Sequence, residues 1–358
     1  MTRTRPAPVP RTRRPAVTRT PVTLVVLGAA LAVAALAGLA LGSVRIPAAD
    51  VMAALTGNAE PSPYRTIVLD VRLPRVLLGA CVGAGLAVIG AVLQALVRNP
   101  LADPFLLGVS SGASAGAVAV IVLGGSLGLA GVATTVSVPI AAFVGAMGSL
   151  ALVYILARSG RGGFTTGRLI LAGVAVAYIL SALTSLFLVV SARADHLKEV
   201  LYWTLGGLGS ARWDMLALPA AVLVAGTALL LALARPLDLL LVGEEGATVL
   251  GLDTARFRAA VFVLASLLTG VLVAYSGAIG FVGLMVPHAV RMAVGAGHRR
   301  LLPAAALAGA FFLVAADLAA RTVAAPQDIP VGVLTALTGG PFFLWLLHRG
   351  RTAEGAEA

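Results

Sequence analysis

Long uncharged apolar runs dominate the pattern of hydrophobic and polar positions along the chain. They extend over residues 20–44, 76–97, 104–157, 169–192, 215–234 and 259–290, and two more with few polar positions cover 301–316 and 329–348. A helix that crosses a bilayer needs about 20 consecutive apolar residues. Continuous runs favour helices, because strands of a membrane barrel alternate apolar and polar residues. We therefore predict an all-α, multi-pass membrane protein.

The lengths of the runs set the number of spans. The run 104–157 is too long for one helix at about 1.5 Å per residue, and the Gly-rich stretch 124–128 divides it. The run 259–290 is predicted to turn near Ser276-Gly277. These divisions give about ten transmembrane helices within residues 22–348, with both termini on the same side. Residues 1–21, basic and rich in Pro and Thr, are expected to form a disordered cytoplasmic tail, and residues 349–358 a second cytoplasmic tail.

Composition and charge agree with a membrane protein. Only 11% of the residues are charged, against about 25% in soluble domains. The net charge of +11 comes from 25 Arg and one Lys against 15 Asp and Glu, which in a soluble protein would indicate a nucleic-acid partner. Here the charges lie in loops and tails: with cytoplasmic termini, 18 fall inside and 8 outside. The bias follows the positive-inside rule, so membrane topology explains the charge and no nucleic-acid partner is predicted.

Two residue types limit the chemistry that the chain can perform. A single cysteine, Cys81 in a predicted span, excludes disulfide frameworks and Cys-ligated metal sites. A Walker A loop needs Gly-Lys followed by Ser or Thr, whereas the one lysine, Lys198, lies between Leu197 and Glu199. We expect no cofactor and no metal, and any ATP hydrolysis must come from a separate subunit.

A few polar residues lie in or near the spans, where a functional role is the default hypothesis. Gln94 and Arg98 are one turn apart and are expected to share a helix face near the cytoplasmic end. Asp317 and Arg321 have the same spacing near the outer end of the ninth span, as an ion pair that anchors the helix or as a functional pair. His288 is expected to be a hydrogen-bonded structural histidine.

The pattern Gly108-Val-Ser-Ser-Gly112 matches the nucleophile elbow of hydrolases. An intramembrane hydrolase would have to pair Ser110 or Ser111 with His288. The glycines continue at spacings of four, which is typical of close helix packing in membranes. We interpret the motif as a packing face.

Two loops are long enough to hold structure of their own. The outer segment 191–213 contains mixed charges and two tryptophans, which suit interfacial helices. The inner segment 235–258 is apolar enough to pack and polar enough to stay out of the lipid. It is predicted to form one or two short helices broken at Gly243 and Gly251 on the cytoplasmic face, and a lipid-facing amphipathic loop is the alternative.

Several motifs together resemble one known family. They are Arg72-Leu-Pro-Arg75, Arg98-Asn-Pro-Leu-Ala-Asp-Pro104, Gly277-Ala-Ile-Gly-Phe-Val-Gly-Leu-Met-Val-Pro-His288 and Asp328-Ile-Pro-Val-Gly332. In order and spacing they resemble the FecCD family, the permease subunits of ATP-driven importers for ferric siderophores, haem and cobalamin. The resemblance spans about residues 65–348. It implies a BtuC-like type II fold of the ATP-binding-cassette (ABC) importers.

The resemblance implies roles for residues on the cytoplasmic side. It places the inner constriction of the pathway at Asn99, Pro100 and Leu101, and a second constriction at Thr165, Thr166 and Gly167. Gln94 would lie on the pathway. The segment 238–256 would couple the permease to the ATPase through Gly243, Glu244, Ala247, Leu250 and Gly251.

On the outer side, the resemblance implies that Arg72, Arg75 and Arg321 pair with glutamates on two lobes of a substrate-binding protein. These arginines run against the positive-inside trend, which suggests a role beyond topology. Charge pairs at an interface rim raise the association rate and fix register.

The expected function is import by a non-enzymatic permease in a bacterial cell membrane. The chain would pair with an identical or related permease subunit, two cytoplasmic ATP-binding subunits and an extracytoplasmic binding protein. The expected cargo is a ferric siderophore, with haem or cobalamin as alternatives. An ion-coupled secondary transporter is a different class, and the lack of Asp or Glu in the span interiors, with Asp317 near an end, disfavours it.

Overall fold

The computed structural model describes residues 20–58, 60–124, 134–158, 166–191 and 194–354, which are mostly helical and contain no strand within these ranges. The helices are α1 (Thr20–Ala40), α2 (Ala48–Thr56), α3 (Pro63–Thr66), α4 (Leu73–Val97), α5 (Val109–Leu123), α6 (Thr134–Arg158), α7 (Thr166–Ser191), α8 (Ala194–Leu205), α9 (Ala217–Ala232), α10 (Ala234–Val242), α11 (Glu244–Val249), α12 (Thr254–Ser276), α13 (Val282–Val294), α14 (His298–Thr322) and α15 (Val331–Glu354). A π-helical turn, Ile67–Arg72, joins α3 to α4, and 3₁₀ turns cover Pro104–Leu107 and Trp213–Met215.

The predicted membrane spans correspond to ten of these helices. Within the described ranges, seven helices are long and apolar enough to cross a membrane: Thr20–Ala40, Pro63–Val97, Val136–Ala157, Gly167–Val190, Trp213–Ala232, Thr254–Ser276 and His298–Thr322. Three shorter apolar helices are Val109–Leu123, Val282–Val294 and Val331–Leu346. The prediction of an all-helical protein with about ten spans is confirmed. The break predicted at 124–128 falls between α5 and α6, mostly outside the described residues.

The helix α4 lies at the centre of the fold. Its membrane-crossing part is 89% buried, whereas that of α7 is only 11% buried. A Cβ added at Gly83 would overlap the carbonyl oxygen of Gly309 in α14, and one at Gly90 would overlap that of Gly283 in α13. Small residues let helix backbones approach closely in a membrane. The glycines therefore place α4 in direct backbone contact with α13 and α14.

An interrupted-helix junction forms where α12 gives way to α13. The helix α12 ends at Ser276, followed by Gly277 in a left-handed conformation (φ +67°), close to the predicted turn. With 13 residues, α13 covers about 20 Å of the ~30 Å hydrocarbon layer, so one of its ends lies inside that layer. The amide of Gly207 donates to the carbonyl of Ser276 (2.9 Å), and the amide of Gly332 donates to that of Gly206 (3.4 Å). Irregular backbone at this depth needs such protein partners.

Both long loops contain short helices. The outer segment 191–213 contains α8, and the indole Nε1 of Trp213 donates to the carbonyl of Leu69 (3.0 Å). The inner segment 235–258 contains α10 and α11, separated by Gly243 (φ +119°) and ended before Gly251 (φ +87°). The predicted breaks at these two glycines are confirmed.

The termini differ in how much of each is described. Of the predicted tail 1–21, only residues 20 and 21 are described, as the first residues of α1. At the other end, α15 continues to Glu354. The predicted tail 349–358 is therefore helical over its described part.

Candidate gate, coupling segment and outer charge cluster

The first predicted gate segment is a tight turn at the C-terminal end of α4. A residue that precedes proline is disfavoured in a helix, and α4 ends before Asn99-Pro100, with Arg98 in the left-handed region (φ +53°). The side-chain oxygen of Asn99 accepts a hydrogen bond from the amide of Leu101 (2.9 Å), as Asn does in turns. We call Asn99, Pro100 and Leu101 the gate turn.

The second predicted gate segment lies at the start of α7. Thr165 is outside the described residues, and α7 begins at Thr166. Gly167 is exposed, with open space around the position that a Cβ would occupy. Further along α7, the carbonyl oxygen of Gly173 lies 3.5 Å from the Cβ position of Gly108, which follows the Pro104–Leu107 turn. The two predicted gate segments therefore belong to neighbouring elements.

A buried carboxyl lies directly beside the gate turn. Asp103 is 7% exposed, and its Oδ1 accepts a hydrogen bond from the amide of Phe105 (2.8 Å), which caps the following 3₁₀ turn. Burial raises the pKa of Asp103 to about 6, and the hydrogen bond from Phe105 acts in the opposite direction. The sequence contained Asp103 only as part of a motif, so this property was missed.

Gln94 is buried and hydrogen-bonded at both ends of its side-chain amide, and its place on the pathway stays a prediction. It is 3% exposed, and its Nε2 donates to the carbonyls of Leu284 (3.1 Å) and Gly283 (3.3 Å). Its Oε1 accepts from the guanidinium of Arg291 (3.0 Å). The prediction that Gln94 and Arg98 share a helix face is wrong, because Arg98 has already left the helix. Gln94 instead joins α4 to α13.

His288 makes an aromatic contact. Its ring meets Phe342 of α15 edge-on, with 6.1 Å between the centroids, and its Nδ1 is buried with no hydrogen-bond partner among the described residues. The expectation of a hydrogen bond is not met at this nitrogen.

In the Gly108–Gly112 motif, a Cβ at Gly112 would overlap the backbone of Gly145 in α6, which confirms the interpretation as a packing face.

The inner segment 238–256 (the coupling segment) is anchored on one side. Ala247 is fully buried, and Glu244 forms a surface ion pair with Arg258 of α12 (3.2 Å). Gly243 and Gly251 both adopt positive φ values, which glycine tolerates without steric cost. These contacts fix α11 against the rest of the chain.

The opposite side of the coupling segment is apolar and exposed. Val242 is 69% exposed, Val249 86% and Leu250 61%. We call these three residues the apolar strip. Only Leu250 was identified from the sequence, because Val242 and Val249 carry no motif and their exposure depends on how α10 and α11 pack.

Four charged residues meet where α4 begins and α14 ends, on the predicted outer side. Arg75 binds Asp317 (2.9 Å) and Asp328 (2.7 Å), and Arg321 binds Asp317 (3.1 Å). We call these four residues the outer charge cluster. The spacing of Asp317 and Arg321 predicted their pair, but Arg75 and Asp328 come from distant parts of the chain.

The three predicted docking arginines are not free. Arg72 and Arg321 are only 4% and 6% exposed, and the side chain of Arg75 is 12% exposed. Arg72 donates to the carbonyls of Leu39 (2.7 Å) and Val44, and Arg321 to that of Gly38 (3.1 Å). A buried guanidinium needs such partners. In this conformation the three arginines are held by partners within the chain, and their pairing with an external protein stays a prediction.

Known proteins are similar to this chain in sequence. Residues 25–349 match the FecCD transport family. The chain is 48% identical to the cobalamin import system permease protein BtuC of Halobacterium salinarum over 80% of this chain and 75% of that protein. It is 43% identical to the hemin transport system permease protein HmuU of Yersinia pestis over 80% and 84%.

A solved structure shares the fold. It shows an inward-facing ABC transporter assigned to the metal-chelate type, with a TM-score of 0.78 and 33% identity over 92% of this chain and 99% of that one. Because the family match covers most of the chain, this multi-pass membrane protein belongs to the FecCD transport family, the permeases of ABC importers.

Proposed function

We propose that this chain forms half of a membrane channel that imports a bulky metal chelate. A second permease subunit, identical or related, would complete the channel. Two cytoplasmic ATP-binding subunits would drive it, and an extracytoplasmic binding protein would deliver the cargo. Both termini would then be cytoplasmic, in a bacterial cell membrane.

The observation that carries this proposal is the apolar strip on the coupling segment. Exposed apolar patches bordered by polar residues mark interaction sites. Val242, Val249 and Leu250 project from short helices that Ala247 anchors to the fold. Such a surface suits a partner with an apolar groove, and in this family context the partner is the ATPase.

The test is assembly followed by transport. The purified chain, its ATPase and its binding protein are reconstituted into proteoliposomes, and ATP-dependent uptake is measured. The variant V249D/L250D should lose co-purification with the ATPase, because it places charge in the contact. The control A296D adds one such charge at an exposed loop between α13 and α14. Normal assembly of V249D/L250D would refute the coupling role.

The gate assignment rests on the geometry of the gate turn. Asn99 fixes the turn through its side chain, so N99A should loosen it, whereas N99D retains an acceptor oxygen. With Thr165, Thr166 and Gly167 as the second constriction, N99A is expected to raise passive leak of a small dye from sealed vesicles. Equal leak in N99A, N99D and wild type would contradict the gate role.

Docking of the binding protein is proposed to occur by partner exchange at Arg75. Its partner Asp328 has a side chain that is 40% exposed, so an incoming carboxylate can replace it, whereas Arg72 and Arg321 hold backbone carbonyls of α1 and of the loop after it. The variant D328N should tighten docking, because Arg75 then gives up no ion pair. An unchanged dissociation constant for D328N would refute the exchange.

Among the possible cargoes, the relatives favour cobalamin and haem. Cobalamin is favoured by the 48% identity to a cobalamin permease, and haem by the 43% identity to a hemin permease. The ferric siderophore stays a prediction. Uptake of cobalamin, haem and a ferric hydroxamate by the same reconstituted complex discriminates among them. Uptake without ATP or ATPase would favour the secondary transporter.

A further inference from the structure

One carboxylate on the coupling segment binds the first residue of α14 twice. The Oδ1 of Asp238 accepts a hydrogen bond from the amide of His298 (2.9 Å) and lies 2.6 Å from the Nδ1 of its ring. The N-cap position itself, Gly297, has no side chain to offer. Asp238 of α10 therefore supplies the acceptor that a helix N-terminus requires.

This contact is not needed to hold α10 in place. Leu237 and Leu240 are fully buried in the hydrophobic core and already attach α10 to the fold. His298 is 1% exposed, and its Nε2 has no hydrogen-bond partner among the described residues. Burial of the unpaired Nε2 costs stability. The favourable polar contacts of His298 are those that its amide and Nδ1 make with Asp238.

The helix α14 is tied to α4 along its length. Gly309 and Gly83 bring the two backbones into contact, and Asp317 binds Arg75 near the outer end (2.9 Å). At its inner end, α4 continues directly into the gate turn. A displacement of the start of α14 is therefore transmitted to α4 and to the gate turn.

We propose that Asp238 and His298 form the joint through which movement of the coupling segment reaches the gate turn by way of α14 and α4. Both are positioning residues, since they would act through α14, α4 and the gate turn. The inference rests on the proposed function, because it assumes that the ATPase moves the coupling segment. It adds a specific contact to that function.

The test measures cargo imported per ATP hydrolysed by the complete complex in proteoliposomes. D238A and H298A should assemble normally but lower this ratio by about fivefold or more. D238N retains the acceptor oxygen and H298N retains a donor at the position of Nδ1, so both should stay near wild type. A merely structural role would change the yield of folded protein and leave the ratio of the folded fraction unchanged.

A matched control lies in the same segment. Asp253 caps α12 in the same way, accepting from the amide of Arg256 (3.1 Å), and among the described residues its side chain makes its polar contacts with Arg256 of that same helix. D253A should therefore keep the wild-type ratio. A loss in D253A equal to that in D238A would overturn the joint.

Cross-linking keeps the proposal testable even if D238A folds poorly. In a C81A background, D238C/H298C should be uncoupled, and a short bifunctional thiol reagent should restore cargo per ATP by replacing the joint. Blocked transport after cross-linking, or wild-type ratios in D238A and H298A, would overturn the inference alone. Failure of the wild-type complex to import with ATP would instead overturn the proposed function on which the joint depends.

Discussion

Replacement of Asp317 by Asn probes the outer charge cluster directly. Asp317 is 2% exposed and binds both Arg75 and Arg321. The variant D317N keeps the shape of the side chain but leaves two buried guanidinium groups facing a neutral amide. Removal of one partner from a buried ion pair typically costs about 3–5 kcal/mol.

The structure places the expected loss at the lower end of that range. Arg75 keeps its ion pair with Asp328, and Arg321 keeps the carbonyl of Gly38. We therefore expect a destabilisation of about 3 kcal/mol, which corresponds to a decrease in melting temperature of roughly 4 °C for a chain of 358 residues. The control D328N removes a half-exposed partner and should cost about 0–1 kcal/mol.

The assay is thermal unfolding of the purified protein in detergent, followed by intrinsic tryptophan fluorescence. The double variant D317N/R321Q should recover part of the loss, because one of the two unpaired charges is gone. A melting temperature of D317N within 1 °C of wild type would show that the cluster does not stabilise the fold.

Three further perturbations have defined outcomes. The pKa of Asp103 is raised from 3.8 to about 6, so the stability linked to its proton is complete below about pH 4 and is lost as the pH rises through 6. D103N should therefore raise the free energy of unfolding at pH 7.5 by about 3 kcal/mol, measured as a higher melting temperature. At pH 4 the variant should melt like wild type. G83A should lower the melting temperature by several degrees because its Cβ meets the carbonyl of Gly309, whereas G148A, with open space around it, should not; equal melting of the two would contradict the close packing. G251V forces a β-branched residue to φ +87° and should lower cargo imported per ATP, and normal coupling in G251V would contradict a fixed break at this position.

Local signals in the sequence predicted the architecture well. The spans follow from continuous apolar runs, and the turn after Ser276 and the breaks at Gly243 and Gly251 follow from glycine placement. In each case the cause lies within a few residues of the effect, since apolar length or a positive φ acts locally. The pair of Asp317 and Arg321 was predictable for the same reason.

Contacts between distant segments could not be predicted in this way. The partners of Arg75 lie 242 and 253 residues away, and those of Gln94 lie 189 to 197 residues away. His298 and Asp238 carry no shared motif, so their contact exists only through packing of α10 on α14. The burial of Arg72 and Arg321 likewise depends on neighbouring helices, which a local sequence pattern does not show.

The junction of α12 and α13 constrains how the protein is synthesised and inserted. Gly206 is synthesised well before Gly332, and the amide of Gly332 donates a hydrogen bond to the carbonyl of Gly206. Until α15 is synthesised, the carbonyl of Gly206 needs water or a chaperone as its hydrogen-bond donor, because lipid supplies none. A chain truncated before α15 would therefore lack a span and would also leave the carbonyl of Gly206 without its donor. Quality-control proteases should recognise such a chain.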